Sequence, residues 1–149
     1  MIKRCFAVEE NGWLDLRTAL WPHSSREAHL SEMARWCADQ DRYAAFIARE
    51  ASGQAVGFAE ASIRFDYVNG TDTSPVGFLD GLFVSPGYRH QGIAGALVFA
   101  VERWVASSGC RELASDVAIG NIDSLTVHKS LGFEETERVV FFRKRLGGG

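Results

Sequence analysis

The pattern of apolar and polar residues along the chain predicts an α/β (α+β) domain built on a mixed sheet. Continuous apolar runs bounded by turn residues indicate strands, and apolar residues that recur every three or four positions indicate helices. The segment 76–117 can form a parallel pair of strands joined by a right-handed helical crossover. On these grounds the predicted strands are 2–8, 43–50, 55–65, 76–84, 110–117 and 138–146, and the predicted helices are 11–21, a helix after Ser24, 92–108 and 121–132.

Several helix ends carry capping or breaking residues. Asn11 is expected to cap the first helix, and Pro22 is expected to end it. Ser24 and Glu27 have the spacing of a capping box, which predicts the start of the second helix. Gly109 stands just beyond the helix 92–108, where a glycine commonly ends a helix.

Composition narrows the class of protein. The chain has 149 residues, of which 46% are hydrophobic, and its formal net charge is −3. We expect one domain over residues 1–146 and a flexible tail at 147–149. The charge argues against nucleic acid as a partner and permits a cationic small molecule. No apolar run is long enough to span a bilayer, and the start has no extended apolar segment, so we expect a cytoplasmic protein without a membrane partner.

The cysteines, Cys5, Cys37 and Cys110, are far apart, odd in number and without metal-ligand spacing. We therefore expect reduced thiols and no metal site. Cys110 opens a predicted strand with no histidine beside it that could act as a base. It is therefore interpreted as a core residue.

The stretch VSPGYRHQGIAGALV (84–98) has the features of an anion-binding helix start. The first N–H groups of a helix are unpaired and carry partial positive charge, so several can hold one anion. Gly92 and Ala94 leave that backbone accessible, and Arg89 adds a charge suited to phosphate oxygens. The stretch thus predicts a pyrophosphate site, with close helix–sheet packing as the alternative. It lacks the lysine of a P-loop and the glycines of a dinucleotide fingerprint.

The same residues carry a resemblance to a known family. RHQGIA (89–94) matches the [Q/R]-x-x-G-x-[G/A] signature, and the chain resembles the GNAT N-acetyltransferase superfamily over 2–146. The last predicted helix also ends in SLGF (130–133), as in that superfamily. A narrower similarity to aminoglycoside 6′-N-acetyltransferases is carried by LWP (20–22), FDYVNG (65–70), FLDGLFV (78–84), CRELASD (110–116) and LGFEETERVVFFRKR (131–145).

The resemblance implies both a fold and an activity. The fold would be a mixed, mostly antiparallel central sheet with a splayed strand pair and flanking helices. The activity would be transfer of an acetyl group from the cosubstrate acetyl-CoA to the 6′-amino group of aminoglycoside antibiotics, which confers resistance. Transfer would occur by direct attack in a ternary complex, and the enzyme would be a homodimer. Two alternatives remain open: an acetyltransferase for another amine, such as a polyamine or a protein N-terminus, and a non-catalytic acyl-CoA sensor.

Three groups of residues are implied to contact acetyl-CoA. Leu82, Phe83 and Val84 would offer backbone groups to the pantetheine arm, which would lie beside the strand like an added strand. Asn121 would contact the cosubstrate near its thioester or pantetheine end. The pyrophosphate would bind to the loop and helix start formed by Arg89, His90, Gln91, Gly92, Ile93 and Ala94.

An aminoglycoside carries several ammonium groups, so its pocket is expected to be acidic. The resemblance implies substrate contacts at Trp21, His23, Tyr67, Asp80, Asp116 and Glu137. For His23, the neighbouring Ser24 is an alternative match to the family's position.

Structural alternatives accompany most of these positions. Trp21 could serve the core instead of stacking on a sugar ring. Tyr67 could be a core residue, although DYVNG favours an exposed loop. Asp116 ends a predicted strand. It could face a ligand crevice there, or it could cap a helix or belong to a turn. Glu137 lies in a charged stretch that would ordinarily be solvated.

Asp80 is the predicted catalytic carboxylate. It lies inside the apolar run VGFLDGLFV, where a charge is costly unless it is paired or hydrated. Asp80-Gly81 could be a hairpin turn, or Gly81 could mark a bulge that splays the strand to admit the thioester. In the second case Asp80 would help to remove a proton from the substrate ammonium. The family often has glutamate here, and the shorter aspartate favours a water relay or simple ammonium binding.

His128 is the second predicted catalytic residue. It stands four residues before Gly132, where many GNAT enzymes have a tyrosine that protonates the departing CoA thiolate. A histidine can hold a proton near neutral pH and could take that role. The alternative is a helix-face histidine with local hydrogen bonds, in which case the thiolate takes its proton from water or needs none.

Overall fold

The computed structural model describes residues 1–147 and divides into two compact units, Met1–Asp116 and Val117–Gly149. A single domain over 1–146 stays a prediction. Of the predicted flexible tail, Gly147 is described and has a φ of 70°, whereas residues 148 and 149 lie outside the described residues. Within residues 1–147, no helix has both the length and the apolar character needed to cross a membrane.

The first unit contains a five-stranded sheet in the order β1-β2-β3-β4-β5. Neighbouring strands are antiparallel except for β4 and β5, which are parallel. This arrangement confirms the predicted mixed, mostly antiparallel sheet. The strands are β1 (Ile2–Cys5), β2 (Tyr43–Arg49), β3 (Ala55–Arg64), β4 (Val76–Val84) and β5 (Leu113–Ala114), and the helices of this unit are α1 (Trp13–Leu20), α2 (Arg26–Ala38) and α3 (Ile93–Ser107).

Helix α3 connects the parallel strands β4 and β5 and covers one face of the sheet. Its buried residues include Leu97, Val101 and Val105, spaced four apart on one side of the helix. Gly77 of β4 lies directly beneath, because a Cβ atom there would be 2.5 Å from the side chain of Val105. The absence of a side chain at this position lets the helix pack close to the strand.

Two helix starts differ from the predictions by one residue. Gly12, not Asn11, caps α1, since its φ of 90° turns the chain into the helix. Ser25, not Ser24, caps α2 and accepts a hydrogen bond from Ala28 N at 3.1 Å. The end of α3 is as predicted, with Gly109 at a φ of 86° just beyond it.

A buried ionic cluster joins α1 and α2 to the other face of the sheet. Arg17 of α1 pairs with both carboxylate oxygens of Glu60 in β3, and both side chains are almost fully buried. Trp13 Nε1 donates to Glu60 Oε2 at 2.9 Å, and Arg17 also contacts His29 Nδ1 and Glu32 of α2. Burial raises the pKa of Glu60, while the Arg17 charge lowers it. The cluster fixes the two helices to a defined point on the sheet.

The second unit contains helix α4 (Ile122–Ser130). The strand predicted for 138–146 is not formed within this unit, and Val140, Phe141 and Phe142 are exposed. A strand requires a hydrogen-bonded partner, and no described residue of this unit pairs with the segment. The strand predicted for 110–117 is likewise reduced to Leu113–Ala114.

We predict that Glu60→Ala destabilises the protein by about 3–5 kcal/mol, since it leaves the buried Arg17 guanidinium without its main partner. Urea denaturation measures this change as a lower midpoint. Glu135→Gln removes an exposed partner of Arg138 and serves as the control, with an unchanged midpoint. Equal midpoints for the two variants would contradict a structural role for the cluster.

Candidate active site

A bulge in β4 shapes the candidate site. Glu60 of β3 pairs with Gly81, whereas the next residue, Ala61, pairs with Leu79. Asp80 therefore has no partner in β3 and is the extra residue of a β-bulge. Because Asp80 and Gly81 lie inside a continuous strand, the hairpin alternative is wrong and the bulge prediction is confirmed.

The bulge changes the face on which β4 residues lie. Side chains alternate along a regular strand, so residues 77 and 81 would share a face. In the structure they lie on opposite faces. A Cβ on Gly77 would meet Val105 of α3, whereas a Cβ on Gly81 would lie 2.6 Å from Trp21 Cη2. Gly81 thus faces the α1 side of the sheet, where its missing side chain leaves room for Trp21.

Trp21 follows α1 and is half-buried at this point. Its ring stands edge-on to Phe58 with centroids 5.9 Å apart, and the Arg17 guanidinium carbon lies 4.8 Å from its centroid. His29 Nε2 is 3.2 Å from the carbonyl oxygen of Trp21. The buried cluster therefore fixes the position of this predicted substrate residue.

Asp80 is a largely buried carboxylate whose two oxygens differ. Oδ1 accepts a hydrogen bond from Arg64 Nη2 at 2.9 Å. Oδ2 is buried and has no hydrogen-bond partner among the described residues. Burial raises the pKa of Asp80, and the negative charge of Asp116 acts in the same direction. The structure thus brings two predicted substrate carboxylates within electrostatic range of each other.

Arg64 is a site residue that the sequence reasoning missed. It is the last residue of β3, and its side chain reaches back along the strand to Asp80. The sequence feature that could have indicated this role is the basic residue Arg64 at the end of β3, the strand that pairs with β4. Detecting it required the register of the β3–β4 pair, which the bulge shifts.

One edge of β4 is open next to the bulge. On that edge β5 pairs only with Gly77 and Phe78, and Gly77 N donates to Glu112 O at 3.0 Å. No strand of the first unit pairs with that edge beyond Phe78. The part of β4 beyond Phe78, which does not pair with β5, contains Leu82, Phe83 and Val84. These are the residues predicted to offer backbone groups to the pantetheine arm.

The loop after β4 leads to an accessible helix start. Arg89, His90, Gln91 and Gly92 are exposed, and a Cβ on Gly92 would meet no atom within 4 Å. Gly92 caps α3 at a φ of 81° without any side-chain hydrogen bond.

The first hydrogen bond of α3 runs from Ala96 N to Gly92 O. The N–H groups of Ile93 and Ala94 therefore precede the helical hydrogen-bond ladder and are suited to an anion.

Arg89 is held by the end of β4. Its Nε donates to Val84 O at 2.8 Å, and its guanidinium carbon lies 5.6 Å from the centroid of Phe83. Consequently the Val84 carbonyl, predicted to be available to pantetheine, is already hydrogen-bonded. Its role in the structure is to orient Arg89 beside the helix start.

The remaining predicted substrate residues of the first unit are exposed. His23 lies after α1, and Tyr67, which is 73% exposed, lies in the β3–β4 loop. Glu112 anchors that loop by accepting hydrogen bonds from Asp72 N at 2.9 Å and Thr73 N at 2.8 Å. Tyr67 is therefore a loop residue and not part of the core.

The second unit holds Asn121, His128 and Glu137. Asn121 caps α4, with its Oδ1 accepting a hydrogen bond from Ser124 N at 3.1 Å. His128 Nδ1 is 2.8 Å from Ser124 O and, because a carbonyl only accepts, it carries a proton. This hydrogen bond within α4 is the one expected if His128 is a helix-face histidine with local hydrogen bonds. Glu137 is exposed.

The cysteine thiols of the first unit are poorly suited to nucleophilic chemistry. Burial raises the pKa of Cys5 to about 12 and also raises the pKa of Cys110. Reactive cysteines have lowered pKa values. Cys110 is therefore a core residue, as predicted.

An open strand edge can pair with an extended pantetheine arm, an accessible helix start can hold a pyrophosphate, and a carboxylate beside them can accept a proton. Together these features suit an acyl-CoA-dependent transferase. The model of the Acetyltransferase (GNAT) family matches residues 10–133, and this chain belongs to that family.

Relatives of the chain have a more specific name. Over 147 residues it is 49% identical to the aminoglycoside N(6′)-acetyltransferase type 1 of Serratia marcescens, covering 99% of this chain and 100% of the relative. It is 53% identical to the protein of that name from Salmonella typhimurium, covering 89% and 90%.

A solved structure extends this similarity to the fold. AAC(6′)-Iy in complex with the bisubstrate analogue CoA-S-monomethyl-acetylneamine superposes with a TM-score of 0.92. The two proteins are 49% identical, and the match covers 98% of each chain.

We predict that Gly81→Ala lowers kcat/KM for an amine acceptor by about tenfold or more, because the new methyl group displaces Trp21 from β4. Steady-state kinetics measure the loss. Gly120→Ala, where a Cβ would meet no atom within 4 Å, is the matched control. Native kinetics for Gly81→Ala would show that the position of Trp21 does not matter.

Proposed function

We propose that this chain transfers the acetyl group of acetyl-CoA to the 6′-amino group of aminoglycosides and thereby confers resistance to them. The observation that carries the proposal is the bulge at Asp80, which places a carboxylate beside the open edge of β4. The chain's similarity to aminoglycoside N(6′)-acetyltransferases over nearly its whole length supports the acceptor.

The first unit offers two adjoining sites for acetyl-CoA. The pantetheine arm lies along the open edge of β4, where the backbone groups of Leu82 and the N–H of Val84 face away from β3, whereas Phe83 pairs with Phe58. The pyrophosphate binds at the exposed start of α3, where the first amides of the helix and Arg89 meet its negative charge. His90 and Gln91 border the same site.

Transfer requires loss of a proton from the acceptor's ammonium group. The neutral nitrogen then attacks the thioester carbonyl carbon and a C–N bond forms. The nitrogen loses its second proton to water as the C–S bond breaks, so that the products are the neutral amide and the CoA thiolate. Asp80 receives the ammonium proton through a water molecule. The raised pKa of Asp80 makes it a better proton acceptor than an exposed aspartate. Alignment of the two reactants supplies much of the remaining acceleration.

Acidic and aromatic residues select the acceptor. Asp80 and Asp116 attract ammonium groups, and Trp21 beside Gly81 presents a flat surface for a sugar ring. Tyr67, His23 and Glu137 contribute further contacts, as in the family that the chain resembles. Asn121 and His128 act near the thioester, with His128 supplying a proton to the thiolate when its ring is protonated.

The direct test is release of free thiol from acetyl-CoA in the presence of kanamycin or tobramycin. We expect turnover with these acceptors, because they carry a 6′-amino group. A panel of polyamines and peptide N-termini is run alongside them. Turnover of the panel alone would overturn the choice of acceptor, and binding of acetyl-CoA without any turnover would indicate a sensor.

We predict that Asp80→Asn lowers kcat by about 10²- to 10⁴-fold, since an amide cannot accept the ammonium proton. Thiol-release kinetics measure the loss, and calorimetry is expected to give a native Kd for CoA. Asp15→Asn, an exposed aspartate in the first turn of α1, is the control. Turnover by Asp80→Asn within a few-fold of the native rate would refute a proton-transfer role.

The enzyme is also proposed to be a homodimer. Phe141 and Phe142, exposed to 86% and 91%, lie in the apolar segment 139–142, which has no strand partner within the second unit. A β-prone apolar segment of this kind is suited to pairing with another chain.

We predict that the double variant Phe141→Ser/Phe142→Ser is monomeric, because it removes the apolar contact between copies. Sedimentation velocity distinguishes monomer from dimer. Phe99→Ser, at an exposed phenylalanine of α3, is the control and should remain dimeric. A dimeric double variant, or a monomeric native protein, would refute this interface.

A cytoplasmic location fits the same function. The three cysteines are free thiols in the structure, as expected in a reducing compartment. Cell fractionation tests this location.

A further inference from the structure

Arg64 is the cation that the structure places on the predicted catalytic carboxylate. Its Nη2 donates to Asp80 Oδ1 at 2.9 Å, and its Nε lies 3.5 Å from Ser62 Oγ. The guanidinium carbon is 3.6 Å from the centroid of the Phe78 ring. Phe78 is 8% exposed and pairs with Ser62 across the β3–β4 register. Arg64 is therefore stacked on a surface that the sheet itself holds in place.

The surroundings of Asp80 oppose its negative charge. Its side chain is only 17% exposed, and burial favours the protonated form. Asp116, after β5, acts in the same direction, and Glu60 of β3 is electrostatically coupled to Asp80. A hydrogen bond from the Ser62 hydroxyl, and then the hydrogen bond and charge of Arg64, act in the opposite direction and lower the pKa of Asp80. Arg64 is thus a positive charge that opposes desolvation and the negative charge of Asp116.

The pairing is also one-sided. Arg64 occupies Oδ1, whereas Oδ2 has no hydrogen-bond partner among the described residues. A carboxylate fixed through one oxygen can accept a proton on the other while that first oxygen keeps its hydrogen bond to Arg64. A guanidinium keeps its own proton throughout the physiological pH range, so it does not compete for the transferred proton.

We propose that Arg64 is a positioning residue that holds Asp80 as an oriented carboxylate, with Oδ2 left to accept the proton from the acceptor amine. This inference rests on the proposed function, in which Asp80 receives that proton. The proton passes from the ammonium nitrogen through water to Oδ2, and Arg64 remains charged and paired with Oδ1. Arg64 itself touches neither substrate in this account.

The first test needs no substrate. Carboxyl resonances of ¹³C-labelled aspartates are followed by NMR against pH in the free enzyme, with Asp80→Asn assigning the Asp80 signal. In Arg64→Gln we expect the Asp80 midpoint to move upward by about one pH unit. Arg64→Lys keeps a charge and should move it less. Arg42→Gln is the matched control, because Arg42 also lies over an aromatic ring, that of Phe65.

The second test separates this role from a structural one. In Arg64→Gln we expect kcat/KM to fall about tenfold below native at acid pH, where Asp80 is then protonated, and to return toward native at higher pH. Ionisation of the acceptor's own amines is the same for both proteins, so it cancels in the ratio. Arg64→Lys should partly restore the acid limb.

Three results would overturn the proposal. An unmoved Asp80 midpoint in Arg64→Gln would show that Arg64 does not control the carboxylate. A loss of kcat/KM that is equal at all pH values would show a structural role, and no loss at any pH would show no role in turnover. Failure of the proposed function gives a different pattern, because Asp80→Asn would then retain turnover even if the NMR midpoint moved with Arg64.

Discussion

The architecture of the site depends on one extra residue in β4. Asp80 has no partner in β3, so the strand bulges, and Gly81 turns toward the α1 face instead of the α3 face. In a regular strand Asp80 instead of Gly81 would lie opposite Glu60, and its side chain would occupy the space of the Trp21 ring. The bulge therefore sets the place of the carboxylate and of the aromatic ring, and it lies where β4 separates from β5.

The bulge is supported by packing on the α1 side of the sheet. Glu60, which pairs with Gly81, is also the buried partner of Arg17. Arg17 in turn lies against the ring of Trp21. One ionic contact thus joins the sheet at the bulge to the helix that presents the aromatic surface. A buried ion pair contributes little net stability compared with apolar packing, but it fixes geometry when all of its hydrogen bonds are made, and geometry is what an aligned acetyl transfer requires.

Local features of the site could be predicted from the sequence, and features that depend on contacts distant in sequence could not. An apolar run in the sequence predicts the bounds of β4. Gly92 and Gly109 predict the two ends of α3, because glycine readily adopts the positive φ that the structure shows at both positions. The pairing of Arg64 with Asp80 depends on a strand register that a bulge shifts. The strand predicted for 138–146 depends on a hydrogen-bonded partner, and the apolar pattern of the segment does not identify that partner.

We propose that the open edge of β4 and the start of α3 together bind the CoA moiety, and the rest of the mechanism depends on this binding. Backbone amide NMR of the uniformly ¹⁵N-labelled protein, titrated with CoA, tests this claim residue by residue. We expect large shifts and slowed hydrogen exchange for the amides of Leu82 and Val84, which face the open edge, and for the amides of Ile93 and Ala94. The amide of Gly77, already bonded to Glu112 O, should change little. Unchanged signals at both segments in the presence of saturating CoA would contradict it.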